Sequence, residues 1–151
     1  MSNLADLSQH HAPLLPITAK WALPLTIYYL SLALRVGKQR FATKTWMGDR
    51  SHGCQNVLTD PLHTAIRAQA NFLEYVPLAL ILAGAAELNG ADKSTLDLAL
   101  GALLAVRIAH VEVGLLWKKP PTGGYGRLVG FWGTSTFLVG VAGWGFWLGR
   151  A

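Results

Sequence analysis

Cysteine occurs once among the 151 residues, at Cys54. A lone cysteine excludes an intrachain disulfide and any cysteine-built metal centre, so Cys54 reads as a plain reduced thiol. Charge is scarce as well: Asp, Glu, Lys and Arg make up 14% of the chain, against about 25% in a soluble domain, which leaves too little polar surface for a water-soluble globule. Apolar and polar residues do not alternate at period two, which removes sheet architectures. There is no Ser/His/Asp constellation and no HExxH pair. The glycine-rich piece 123–126 lacks the following Lys-Ser/Thr of a phosphate-cradling loop. Chemistry in this chain would therefore borrow its nucleophile from a bound small molecule, and no metal is expected. Lys and Arg outnumber Asp and Glu by 13 to 8. No basic cluster interleaved with stacking aromatics accompanies that excess, so nucleic acid is not an expected partner. Residues 1–13 are polar and weakly basic, with no small-residue cleavage site after the apolar run that follows, so no cleaved signal is expected. His10 and His11 read as part of a solvated tail. No internal repeat or domain boundary interrupts the chain.

What is present is apolar sequence, 52% of the residues. It falls into four segments, at about 14–36, 64–88, 95–117 and 127–148, each near the ~20 residues that cross ~30 Å of hydrocarbon. Backbone groups in lipid must pair within their own segment, so the segments are expected to be helices. The expectation is an all-α, integral membrane four-helix bundle, one domain over 1–151. Pro24 and Pro77 lie inside spans one and two and read as kinks, not ends. Trp21, Trp117, Trp144 and Trp147 mark interfaces, while Trp132 lies deeper and reads as packing. Lys20, near the start of span one, reads as snorkelling. Lys38, Arg40, Lys44 and Arg50 follow span one, and Lys118 and Lys119 follow span three. The opposite side carries Lys20, Lys93 and Arg150 with Asp6, Glu87 and Asp92. The positive-inside rule places loops one and three in the cytoplasm and both termini outside. The net charge of +5 then reads as topology and contact with anionic membrane lipids. Gly37 to Asp60 is the longest connection, of a length that is often functional.

Polar groups interrupt the apolar spans. Arg67, Asn71 and Glu74 stand at i, i+4 and i+7, on one face of a helix, in the cytoplasmic half of span two. Ionisable groups within a span usually mark a function. The spacing, a rise of roughly 10 Å from Arg67 to Glu74, suits a ligand lying along the helix with anionic and ammonium ends: Arg forks a carboxylate, Asn donates and accepts, Glu takes an ammonium or amide. The competing reading is an interhelical polar clamp. In span three, Arg107 and His110 are i, i+3 neighbours. Arg107 either serves a ligand or neutralises Glu74 across the bundle, and His110 is a ligand donor or a satisfied interior histidine. Glu112, on another face, reads as an interface or subunit contact. Arg127 opens span four as a snorkelling anchor or as a fixed cation beside an anionic nucleophile. Gly126, Gly130, Gly133, Gly140 and Gly143 make span four small-faced, which suggests tight helix packing or oligomer contact.

The run Arg67-Ala-Gln-Ala-Asn-Phe-Leu-Glu-Tyr-Val-Pro closely resembles the second-helix motif of the MAPEG family (membrane-associated proteins in eicosanoid and glutathione metabolism). Four spans in about 150 residues match too, so the resemblance covers nearly the whole chain. It implies a homotrimer with glutathione between neighbouring subunits, opening toward the cytosol. It also implies that Arg67, Asn71, Glu74 and Tyr75 hold glutathione with Gln69 nearby. Arg107 matches the arginine of helix three, and Arg40 the basic residue ending helix one, with Arg35 as its rival. Arg127 resembles the catalytic arginine beside the glutathione sulfur, where it would favour the thiolate for attack on an electrophile or peroxide. A hydrophobic co-substrate or lipid would enter from the membrane. The chain departs from the family where tyrosines of helix three face glutathione. Here those positions are His110, which can replace one donor, and Gly114, which cannot. The connection before Arg127, with Pro120 and Pro121, is a few residues longer, so the register of Arg127 rests on it, and Tyr125 is a candidate to compensate. The implied activity is glutathione transfer, with peroxidase activity as an extension. The alternative is a non-catalytic lipid-binding or scaffold member. That branch lacks the Arg and Glu of the motif, and keeping Arg67 and Glu74 favours the enzyme. A small transporter is a third reading, unsupported by any matching pair of broken helices.

Overall fold

The computed structural model describes residues 13–50, 57–116 and 124–150. His10, His11, Cys54, Trp117, Lys118, Lys119, Pro120, Pro121 and the Tyr125 side chain lie outside the described residues. Four helices form the molecule: α1 Pro16–Thr43, α2 Pro61–Leu88, α3 Lys93–Glu112 and α4 Gly124–Leu148, with a single 3-10 turn at Val57–Thr59. All four are long and apolar enough to cross a membrane. Pro24 and Pro77 sit inside α1 and α2, which run on through them. Two boundaries differ from the hydropathy reading by five residues or more, the others by at most three. α1 continues seven residues past Val36, because helix-compatible Lys38, Gln39 and Arg40 follow Gly37 without a breaker. α3 stops at Glu112, five residues short of Trp117, just before Gly114.

The helix starts are capped by local chemistry in two cases. Asp60 accepts from the His63 amide at 2.8 Å, and Pro61 fills the first helical position, where its missing N–H costs nothing. Asp92 accepts from the Thr95 hydroxyl at 2.7 Å and its amide at 2.8 Å, and these bonds hold its carboxyl below the ordinary carboxylate range. α1 is different. Leu15 stands at its cap and offers no acceptor. The acceptor comes from the far end of α2: the buried Glu87 carboxylate takes the amides of Ile17 and Thr18, both at 2.8 Å. An anion against a helix N-terminus is favourable both as a hydrogen-bond acceptor and against the helix dipole. Glu87, counted above with the loop charges, is thus a tie between two helices. Nearby, Asp97 joins Lys20 at 2.7 Å and the Trp21 indole at 2.6 Å, so Lys20 is paired across to α3.

Among the described residues α2 packs against all three other helices, α3 likewise, and α1 and α4 do not meet. The core lies between them. Leu25 and Leu32 of α1 close on Ala68, Phe72 and Val76 of α2 and Val111 of α3. Farther along, Ala79 and Ala83 face Leu96, Leu100 and Leu103. The small residues on α2 let its neighbours approach closely. The outward faces are apolar: Leu23, Ile27, Leu30 and Leu34 on α1, and Leu128, Val129, Phe131, Val139, Phe146 and Trp147 on α4 are all more than half exposed. This is the arrangement of a bundle whose solvent is lipid. Trp132 belongs to that outer face, 64% exposed and edge-on to Phe131, so it does not pack inside the protomer.

Candidate functional site

α2 carries Ala68, Phe72 and Val76 inward against the core, and this fixes where its polar residues point. His63, Thr64, Arg67 and Asn71 line one side of a cavity of about 430 Å³. His110 and Leu115 close it from α3 and the turn that follows, and Arg127 and Phe131 from the first turns of α4. Four residues singled out from sequence, on three helices, therefore share one space. Among the described residues its lining holds two arginines and two histidines and no carboxylate. Such a cavity favours an anion.

A buried cation underlies it. Arg107 is 1% exposed. Its Nη2 donates to Asn71 Oδ1, its Nη1 reaches Thr134 Oγ1 at 3.4 Å, and its guanidinium lies 5.5 Å from the Tyr75 ring. The Asn71 carbonyl is thereby taken from behind, which leaves its amide nitrogen to donate into the cavity. Among the described residues Arg107 forms no ion pair with Glu74, and any neutralisation between them acts at longer range: Asn71 and Tyr75, four residues apart, turn toward α3, while Glu74 is exposed. Glu74 lies one turn beyond Asn71 and outside the cavity lining. Arg107 Nε and His110 Nδ1 are buried and have no hydrogen-bond partner among the described residues.

Two other candidates are placed elsewhere. Gln69 lies 200° around α2 from Arg67 by helix geometry and donates to the Tyr29 hydroxyl of α1 at 3.4 Å. Arg40 closes the turn after α1, donating to the carbonyls of Thr45 and Gly48. Its rival Arg35 pairs with Glu112 at 2.8 Å, and Tyr28 donates to the same carboxylate at 3.2 Å. Glu112 is therefore engaged within the protomer, because its side of α3 faces α1.

The glycines of α4 explain how Arg127 reaches the cavity. A Cβ at Gly130 would fall within the His110 imidazole. A Cβ at Gly114 would meet the Arg127 nitrogen and the Gly126 carbonyl carbon at 2.9 Å. Gly114 is thus more than a missing tyrosine: in this packing no side chain fits there, and its absence lets the start of α4 touch the end of α3. Gly140 and Gly143 face open space, so of the five glycines only Gly126, Gly130 and Gly133 serve close packing.

Sequence reasoning missed His63, Thr64, Phe131 and Thr134. The signal was available: His63 and Thr64 precede Arg67 by four and three residues, and Phe131 and Thr134 follow Arg127 by four and seven, the spacings of one helix face. Comparison with curated proteins and with solved structures finds no match to the chain. A family model does match, over residues 18–147, and with the four membrane-length helices it follows that the chain belongs to the MAPEG family and is a multi-pass integral membrane protein.

Proposed function

We propose that this protein is a membrane-embedded glutathione transferase, which joins the glutathione thiolate to a hydrophobic electrophile reaching it from the bilayer. The observation that carries this reading is the cavity itself: Arg67, Asn71, His110 and Arg127 converge on it, and no carboxylate lines it. Glutathione carries two carboxylates, two amides, an ammonium and a thiol. Arg67 offers a bidentate fork for one carboxylate, and the Asn71 amide nitrogen a donor for a peptide carbonyl. His110, whose ring packs against Gly130 at the start of α4, adds a further polar residue to the lining. Glu74, exposed beyond the cavity, suits the ammonium. Arg127 is exposed in the first turn of α4. As a fixed cation at the cavity mouth it would lower the pKa of a thiol from its usual ~8.5 and so raise the thiolate fraction at neutral pH. When bound, glutathione supplies the nucleophilic sulfur that this chain lacks. We place the cavity toward the cytoplasm, with both termini opposite, from the basic residues after α1. We also propose a homotrimer, in which the exposed faces of α1 and α4 find partners.

Isothermal titration of glutathione into the detergent-solubilised protein tests this reading. Binding is expected, and Arg67→Ala should weaken it by about 1.5–3 kcal/mol, roughly tenfold or more in Kd. Arg127→Ala should leave glutathione bound while thiolate absorbance and turnover fall. No binding, or affinity indifferent to Arg67, would sink the proposal and favour a lipid-binding member without catalysis. Thiolate that persists in Arg127→Ala would remove that residue from its role.

A further inference from the structure

α1 has 28 residues, about 42 Å at 1.5 Å per residue, against about 30 Å of hydrocarbon. Its last buried position is Val36, so Gly37–Thr43 carries the helix past the packed bundle. The chain then folds back. Lys44 takes the left-handed conformation at φ 51°, and Gly48 follows at φ 77°. Arg40 Nη1 donates to the Thr45 carbonyl at 3.2 Å and to the Gly48 carbonyl at 3.1 Å. One guanidinium thus ties both ends of the turn to the helix. Trp46 is held edge-on to Phe41, with ring centroids 5.2 Å apart. The result is a preformed knob on which Phe41, Trp46 and Met47 are 71%, 65% and 88% exposed. Lys38 and Lys44 are exposed beside them. The nearest acid along the turn, Asp49, lies 3.6 Å from His63 of α2, and Arg50 lies 3.7 Å from Asp60.

We propose that this knob, organised by Arg40, is a docking site for the headgroups of anionic phospholipids in the bilayer that the helices cross. Indole and phenyl rings seek the boundary between acyl chains and headgroups. Met47 has the same apolar demand, and two lysines at that depth favour headgroups with net negative charge. An exposed apolar cluster of this kind rarely faces water without a partner, and the emerging end of a membrane-crossing helix puts lipid within its reach. Arg40 is a positioning residue here. It touches the turn and not the cavity, so the inference stands apart from the glutathione reading.

The test uses the full-length protein in phosphatidylcholine nanodiscs doped with phosphatidylserine brominated near the headgroup. The Trp46 signal is the wild-type fluorescence minus that of Trp46→Phe. Brominated phosphatidylserine should quench it at a lower molar fraction than brominated phosphatidylcholine. Lys38→Gln and Lys44→Gln should each raise the half-quenching fraction about fivefold. Both are surface changes, and unchanged helical circular dichroism will show the variants folded. Arg40→Gln should release the turn, shift Trp46 emission to the red and remove the preference. Equal quenching by the two lipids overturns the proposal. So does free quenching by iodide, which would put Trp46 in water. Shielding from both quenchers overturns it too, and would mark a contact between copies.

Discussion

Asn71 faces two ways, and that separates its role from Arg67's. Its carbonyl satisfies the buried Arg107, and its amide nitrogen is left for the cavity. Asn71→Ala should therefore cost both affinity for glutathione and about 1–3 kcal/mol of stability, since it orphans a buried donor. Arg67 is exposed, so Arg67→Ala should lose affinity with an unchanged melting temperature. Thermal unfolding run beside the titration distinguishes the two. Arg67, Asn71 and Arg127 were legible in the sequence because a polar residue inside an apolar span stands out against its neighbours. His63 and Thr64 did not stand out: they sit where the span begins, among residues that read as loop. Arg40 shows a different limit. Whether its guanidinium reaches a ligand or two carbonyls depends on the left-handed turn at Lys44, which no local pattern announces.

Among the elements, the four helices followed from apolar length alone, but the caps Asp60 and Asp92 start α2 and α3 three and two residues ahead of the hydropathy reading. The cap of α1 was not legible, because its acceptor lies on another helix, 70 residues away. Glu87→Ala would leave the Ile17 and Thr18 amides bare at a buried helix end, at a cost of about 1–3 kcal/mol. The expected result is a lower melting temperature, with faster hydrogen exchange confined to the first turns of α1 and glutathione affinity little changed. Uniformly faster exchange throughout α1–α4 would show that the tie supports the whole bundle and not one end. The close approach of α3 and α4 could be foreseen from the glycines of α4 only in part. Gly126 and Gly130 pack and Gly140 does not, although Phe137, Leu138 and Trp144 around it reach the core of α2 and α3, so the distinction is set by which face of α4 each glycine occupies.

For the whole molecule, the apolar outer faces and the separation of α1 from α4 give each protomer two unlike flanks. A neighbour that joins one copy's α1 side to the next copy's α4 side makes a head-to-tail contact, which closes as a ring only where the rotation between copies permits. Under the proposed homotrimer, chemical cross-linking in membranes should yield a ladder that ends at three, and a ladder ending at two would overturn it. The lone Cys54 gives a clean reading of orientation: an impermeant maleimide should label it in inside-out vesicles and not in right-side-out ones. The tie between Glu87 and the start of α1 also has a consequence in time. At about 5–20 residues per second, the 70 residues between Ile17 and Glu87 take roughly 4–14 s to synthesise. Through that interval the first helix waits with two amides bare, so its final seating belongs to the moment when the second helix is complete.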